Sequence, residues 1–288
     1  MHSNFYPFQI NYIRINGADD LNIAFCDEGN GEKTLLFVHG LANCLPVWAE
    51  QIKQLSKQYR CVAIDLPGNG LSSHGGYPYS MFFYAETIRQ FIVQQRLQNI
   101  ILIGHSMGGQ IGMVASLRYP YLFEKLVLMA PAGIEYFHAH EQIFMIQLLG
   151  LGEYIYSDAF HLEQTIREGF YMNDGKAEKL SNELKKILQM HKSKAWKNMC
   201  KRSIEAMLTE QVQSFLPQLQ LPVLMLFGKE DKLIPNRIVH PHETTSSIAN
   251  KGAALIPNCT HQIIPDCGHF LQIEKPEIIN KLISNFAD

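Results

Sequence analysis

The chain has 288 residues, 47% of them hydrophobic and 18% charged, with a formal net charge of -2. That length buries a large core, either as one big domain or as a core with an insertion. So even a balance excludes a nucleic-acid binder or a surface ruled by membrane electrostatics. No run of about 18 apolar residues occurs, so no membrane-spanning helix is expected. The first residues, MHSNFYPFQINYIRING, lack a basic stretch followed by an apolar one, so no signal peptide is expected. Cys26, Cys44, Cys61, Cys200, Cys259 and Cys267 are scattered, without CxxC or zinc-finger spacing. They read as reduced thiols of a cytoplasmic protein, although Cys259 and Cys267 flank one short strand and are the pair a bridge would join.

In chain order, two antiparallel strands are expected near Ile10–Ile15 and Leu21–Cys26, joined by a turn from Asn16 to Asp20. Thr34–Val38, Cys61–Ile64, Ile100–Ile103, Leu126–Met129, Val223–Phe227 and His261–Ile264 follow as short, continuous apolar runs. Such runs suit parallel strands covered on both faces, and helical patterns alternate with them. The reading is an α/β fold with a mostly parallel eight-stranded sheet flanked by helices. From 132 to 217 the strand rhythm stops. LEQTIREGFYM and KLSNELKKILQM there carry apolar residues at three- and four-residue steps, and Pro217 and Pro222 bracket the return. The predicted organisation is a core of residues 1–131 and 218–288, with a helical insertion at 132–217. Its basic stretch, Lys176 to Arg202, reads as a solvated helix face.

The run IILIGHSMGGQIGM ends a buried strand in Gly104-His105-Ser106-Met107-Gly108 and opens a helix. A sharp strand-to-helix turn lifts a serine above a sheet only if small residues sit two before and two after it, and Gly104 and Gly108 meet that need. Ser106 then lies at a helix N-terminus, where free amides and the dipole favour negative charge. A hydroxyl is a poor nucleophile without a base, and the base needs an orienting carboxylate. GKEDKLIP puts Asp231 just beyond the strand Val223–Phe227, with Glu230 as the rival carboxylate. PDCGHFLQIEKPE puts His269 in a loop after the last strand. Ser106, Asp231 and His269 thus follow the chain order expected of nucleophile, acid and base. FVHGLANC follows the first parallel strand, where His39-Gly40 turns the chain beneath the site. The backbone amides of Leu41 and Met107 are the expected oxyanion donors, with the His39 side chain buttressing the loop.

With FVHGL, DLPGNGLS, GHSMGG, GKEDKLIP and PDCGHFLQIEKPE in view, the chain resembles the α/β-hydrolase fold family. The likeness spans about Leu35 to Pro131 and Leu221 to the C-terminus. It implies Ser106 as nucleophile, Asp231 as acid and His269 as base, the same residues chosen by spacing. The insertion resembles the family's helical caps in position and helical character. Asp65 and Gly68 match as loop-shaping residues, and an Asx-type turn accounts for Asp65. His138/His140 and His240/His242 have no Cys or carboxylate at ligand spacing in sequence, so no metal and no cofactor is expected. Trp48 is expected below the oxyanion loop, and Phe144, Met145 and Trp196 in the insertion, as core or pocket lining.

The expected activity is hydrolysis of a carboxylic ester with an apolar acyl or alcohol group, through an acyl-enzyme. The partner is then a small-molecule ester, not nucleic acid. Other readings of the same scaffold are a C–C bond hydrolase of ring-cleavage products, an acyltransferase, or a non-catalytic ligand receptor. A serine at the elbow argues against epoxide-hydrolase and dehalogenase relatives, which carry aspartate there.

Overall fold

The computed structural model describes residues 6–15, 20–151, 159–172, 174–190 and 193–288. Apart from Asp20, the turn expected from Asn16 to Asp20 lies outside the described residues. Eight strands form one sheet: β1 (Asn11–Arg14), β2 (Asn22–Glu28), β3 (Thr34–Val38), β4 (Arg60–Ile64), β5 (Ile100–His105), β6 (Phe123–Met129), β7 (Val223–Gly228) and β8 (Cys259–Ile264). Each expected strand is present within a few residues. Their order is β1-β2-β4-β3-β5-β6-β7-β8, with β1 and β2 antiparallel and β3 to β8 parallel. β3, β5 and β7 are buried throughout, which suits Val, Ile and Leu covered on both faces. β8 departs from the expected continuous burial: it is an edge strand, and alternate residues of CTHQII meet solvent.

The topology places the site. The chain passes from β3 through α1 (Ala49–Leu55) to β4 on one side, then through α2 (Met81–Gln95) to β5 on the other side of β3. Right-handed crossovers in opposite directions put α1 and α2 on opposite faces of the sheet. The loops leaving β3 and β5 therefore diverge, opening a crevice at their carboxyl ends. α3 (Met107–Arg118) packs on α2, and α1 packs on the C-terminal α10 (Pro276–Ala287).

Between β6 and β7 the described residues hold only helices: α4 (Ala139–Leu151), α5 (Ala159–Gly169), α6 (Lys176–Met190), α7 (Ser193–Thr209) and a 3₁₀ turn at Gln213–Gln218. α6 is amphipathic as the spacing predicts, burying Ala177, Leu180, Leu184 and Ile187. α5 stops at Gly169, so Phe170, Tyr171 and Met172 of the expected helix form its exit turn instead. The basic stretch is largely solvent-facing and partly paired: Lys185 bonds Glu163 and Lys201 lies 3.9 Å from Glu205. Two further helices, α8 (Thr245–Leu255) and the short α9 (Leu271–Glu274), complete the core.

Candidate active site

β5 ends at His105 and α3 starts at Met107, leaving Ser106 alone at the joint. Its backbone sits at φ 54, ψ -118, a region that side chains avoid and surrounding structure must impose. The Ser106 amide donates to the Met129 carbonyl at 2.9 Å, and its carbonyl accepts from Gly109 at 2.9 Å and Ala132 at 3.1 Å. Room for this joint comes from the flanking glycines: a Cβ on Gly104 would lie 2.4 Å from the Gly108 carbonyl oxygen, and one on Gly108 would lie 2.3 Å from that of Val38. Gly40 serves proximity rather than the expected turn. A Cβ there would meet Ser106 Cβ at 3.0 Å, whereas the left-handed residue of its loop is Ala42, at φ 57.

Met107 opens α3, where an amide has no acceptor within its own helix, and Leu41 lines the same cavity as Ser106. His39 is fully buried beneath them. The Leu66 amide donates to its Nε2 at 3.0 Å, so the ring proton is on Nδ1 and is given to the Gly40 carbonyl at 2.7 Å. Burial pushes this imidazole down to about 4, so it stays neutral and fixes the loop before Leu41. Trp48 is fully buried against Phe37 and His105, as expected.

The loops after β7 and β8 meet at the same edge. His269 Nδ1–H donates to Asp231 Oδ2 at 2.8 Å, and both residues are buried. Asp231 Oδ1 accepts from the amides of Leu233 at 2.8 Å and Ile234 at 3.1 Å, which fixes the carboxylate plane. Glu230, the rival, turns elsewhere and accepts from the Cys267 amide at 3.0 Å. His105 donates from Nε2 to the His269 carbonyl at 2.9 Å, and the two rings lie 4.7 Å apart. Burial, then the neighbouring His269, holds the His105 imidazole well below its ordinary range. His105 therefore links the elbow to the backbone of His269, a role that no sequence spacing announced.

Asp65 corrects the Asx-turn expectation. Its Oδ1 accepts from the Leu45 amide at 2.7 Å, while Oδ2 accepts from the Leu71 amide and the Tyr6 hydroxyl, each at 2.7 Å. It thus ties the loop after β3 to the loop after β4, and burial pushes its carboxyl up to about 6. A second cluster also escaped sequence reading. Buried Glu135, just after β6, accepts from His240 Nδ1 and the Asn236 amide at 2.8 Å each, and Glu141 of α4 lies 3.6 Å from His240 Nε2. The carboxylates at the His240 ring are thus supplied across the fold. Among the described residues, no three His, Cys, Asp or Glu side chains gather where they would hold a metal ion. All six thiols are free, Cys259 and Cys267 included.

A cavity of about 440 Å³ lies over Ser106 and His269. Each of the four helices described between β6 and β7 adds apolar side chains to its wall: Met145 of α4, Leu162 and Ile166 of α5, Leu184 of α6, and Met207 and Leu208 of α7. Phe144 instead faces solvent and Trp196 is buried away from the lining. No helix among the described residues is long and apolar enough to cross a membrane.

Comparison with known proteins agrees with this fold. A family model described as alpha/beta hydrolase fold matches residues 33–276. The hydrolase YugF of Bacillus subtilis (strain 168) is 26% identical over 95% of this chain and 97% of its own length. Monoacylglycerol lipase ABHD6 of Homo sapiens is 24% identical over 96% of this chain and 82% of its own. Among solved structures, a probable hydrolytic enzyme of Pseudomonas aeruginosa PAO1 superimposes with a TM-score of 0.80 at 24% identity, covering 97% of this chain and 94% of that one. An esterase of Exiguobacterium antarcticum gives 0.79 at 19%, covering 97% and 99%. With its eight-stranded sheet, its switch-point crevice and a family match across most of its length, the chain belongs to the α/β-hydrolase fold family.

Proposed function

We propose that the protein is a serine hydrolase cleaving carboxylic esters with an apolar acyl or alcohol group, and that residues 132–217 act as a cap over the site. One observation carries the reading: the strained Ser106 opens into the same cavity as an imidazole whose Nδ1–H is held by Asp231. That tautomer leaves His269 Nε2 unprotonated, as a general base requires. His269 takes the Ser106 proton while Oγ attacks the ester carbonyl, and the amides of Leu41 and Met107 receive the oxyanion. The imidazolium, stabilised by ionised Asp231, protonates the departing alcohol. Water activated by the same imidazole then attacks the acyl-enzyme and frees the acid.

The apolar side chains that α4, α5, α6 and α7 give the cavity support an apolar acyl or alcohol group. Lipase and esterase names among the relatives at low identity agree with an ester bond as the target. The test is turnover of p-nitrophenyl acetate, butyrate and octanoate by wild type and Ser106→Ala. Hydrolysis that falls by about 10⁶ in kcat in the variant supports the reading. Full activity in the variant, or tight binding of esters without turnover, refutes it.

A further inference from the structure

We propose that Glu274 is a positioning residue for His269, working by fastening the end of α5 to the loop that carries the imidazole. This rests on His269 being the base. The loop is gripped from two sides. On the core side, Glu230 accepts from the Cys267 amide at 3.0 Å and His105 donates to the His269 carbonyl at 2.9 Å. On the other side it meets the exit turn of α5, with the Glu274 side chain of α9 between the two. The His269 amide donates to the Gly169 carbonyl at 2.6 Å. Glu274 Oε1 accepts from the Gly268 amide and Oε2 from the Tyr171 amide, each at 2.9 Å. The rings of Phe170 and Phe270 stack at 4.9 Å and 22°.

These contacts bring backbone against backbone. A Cβ on Gly268 would lie 2.4 Å from the Gly169 carbonyl oxygen and 2.8 Å from the Tyr171 amide nitrogen, so only glycine lets the two turns meet. Two amide donors then face one side chain, and a carboxylate is the group that accepts from both at once. Lys176 Nζ, at the start of α6, adds a bond to the Glu274 carbonyl at 3.4 Å. An imidazole is only as well placed as the main chain that bears it, and reaction rates fall steeply with small misplacements of a catalytic group. The amide of His269 is held by the insertion itself, through a helix whose Leu162 and Ile166 line the cavity. A chain pressed against α5 therefore acts on the element that sets the histidine. Glu274 holds the two together.

Glu274→Gln tests this in the full-length protein. Glutamine keeps the shape but has one acceptor oxygen, so one of the two amides loses its partner and faces an NH₂ group. Two readouts separate positioning from plain stability. The first is the split of kinetic constants with p-nitrophenyl butyrate: kcat should fall about 10-fold with KM within about two-fold. The second needs no substrate: the low-field proton resonance of the His269–Asp231 hydrogen bond should broaden or vanish in the variant. Phe170→Ala, which removes the ring stack and leaves the carboxylate, should shift both readouts the same way by less, and replaces Glu274→Gln should that variant fail to fold. An unchanged resonance with unchanged kcat overturns the proposal, as does a rise in KM alone. If wild type hydrolyses no ester, the ester reading fails by itself, and the resonance still decides the role of Glu274.

Discussion

Replacing Asp231 with asparagine isolates what the carboxylate does. Asp231 Oδ1 already accepts from the Leu233 and Ile234 amides, at 2.8 Å and 3.1 Å, and Oδ2 accepts from His269 Nδ1 at 2.8 Å. Asparagine has one acceptor oxygen, and two fixed backbone donors claim it more strongly than one imidazole. Its NH₂ group therefore turns toward His269, and two donors cannot share a hydrogen bond. The ring responds by placing its proton on Nε2, where it blocks removal of the Ser106 proton. The same substitution in a Ser–His–Asp protease costs about 10⁴ in kcat through the wrong tautomer, or about 5.5 kcal/mol at 1.36 kcal/mol per decade. Since both backbone bonds survive, the melting temperature should move by no more than a few degrees. The assay is kcat for p-nitrophenyl butyrate between pH 6 and 9, alongside a thermal melt. Asp231→Asn retaining more than about a tenth of wild-type activity, with Glu230→Gln losing it, would refute the assignment.

Three further outcomes follow from the geometry. Burial holds His39 down to about 4 against an ordinary 6.5, so its contribution to stability is complete above pH 6.5 and is lost as pH falls to about 4. The stability advantage of wild type over His39→Gln should shrink by about 3 kcal/mol between pH 7 and pH 4, and an advantage independent of pH contradicts the buried neutral ring. Asp65, pushed up to about 6, works in the opposite sense but is common to both proteins and cancels in the difference. Gly108→Ala drives a Cβ to 2.3 Å from the Val38 carbonyl oxygen, part of a buried strand, and should cost at least about 1–3 kcal/mol in a denaturant melt; an unchanged midpoint would falsify the account of the elbow. Ile166→Trp, filling the wall contributed by α5, should lower kcat/KM for octanoate far more than for acetate. Equal losses for both esters would remove the cavity from the acyl pathway.

The strands and the chain positions of Ser106, Asp231 and His269 were legible because each is a local signal. An apolar run, a glycine pair and a loop after a strand are all read within a dozen residues. Between Asp231 and its rival Glu230, it is Asp231 that accepts from His269, while Glu230 accepts from the Cys267 amide. What stayed hidden depends on chain segments far apart in sequence. Asp65 looked like a local turn residue because its partners Leu45 and Tyr6 lie 20 and 59 positions away. The bond from His240 to Glu135 was hidden because the two lie 105 positions apart. Glu274 stood in plain view after His269, yet its Tyr171 partner is 103 positions distant and sits where α5 ends earlier than its apolar periodicity suggests. Periodicity reads a helix but not its exit turn, and here the exit turn touches the site.

The central claim is that Ser106 is the activated nucleophile. Reaction of the intact protein with a fluorophosphonate, followed by intact-mass measurement and peptide mapping, tests it most directly. The account predicts one adduct per chain, located on Ser106, absent from Ser106→Ala and formed far more slowly in Asp231→Asn. An adduct on another residue, or undiminished labelling of Ser106→Ala, would contradict it.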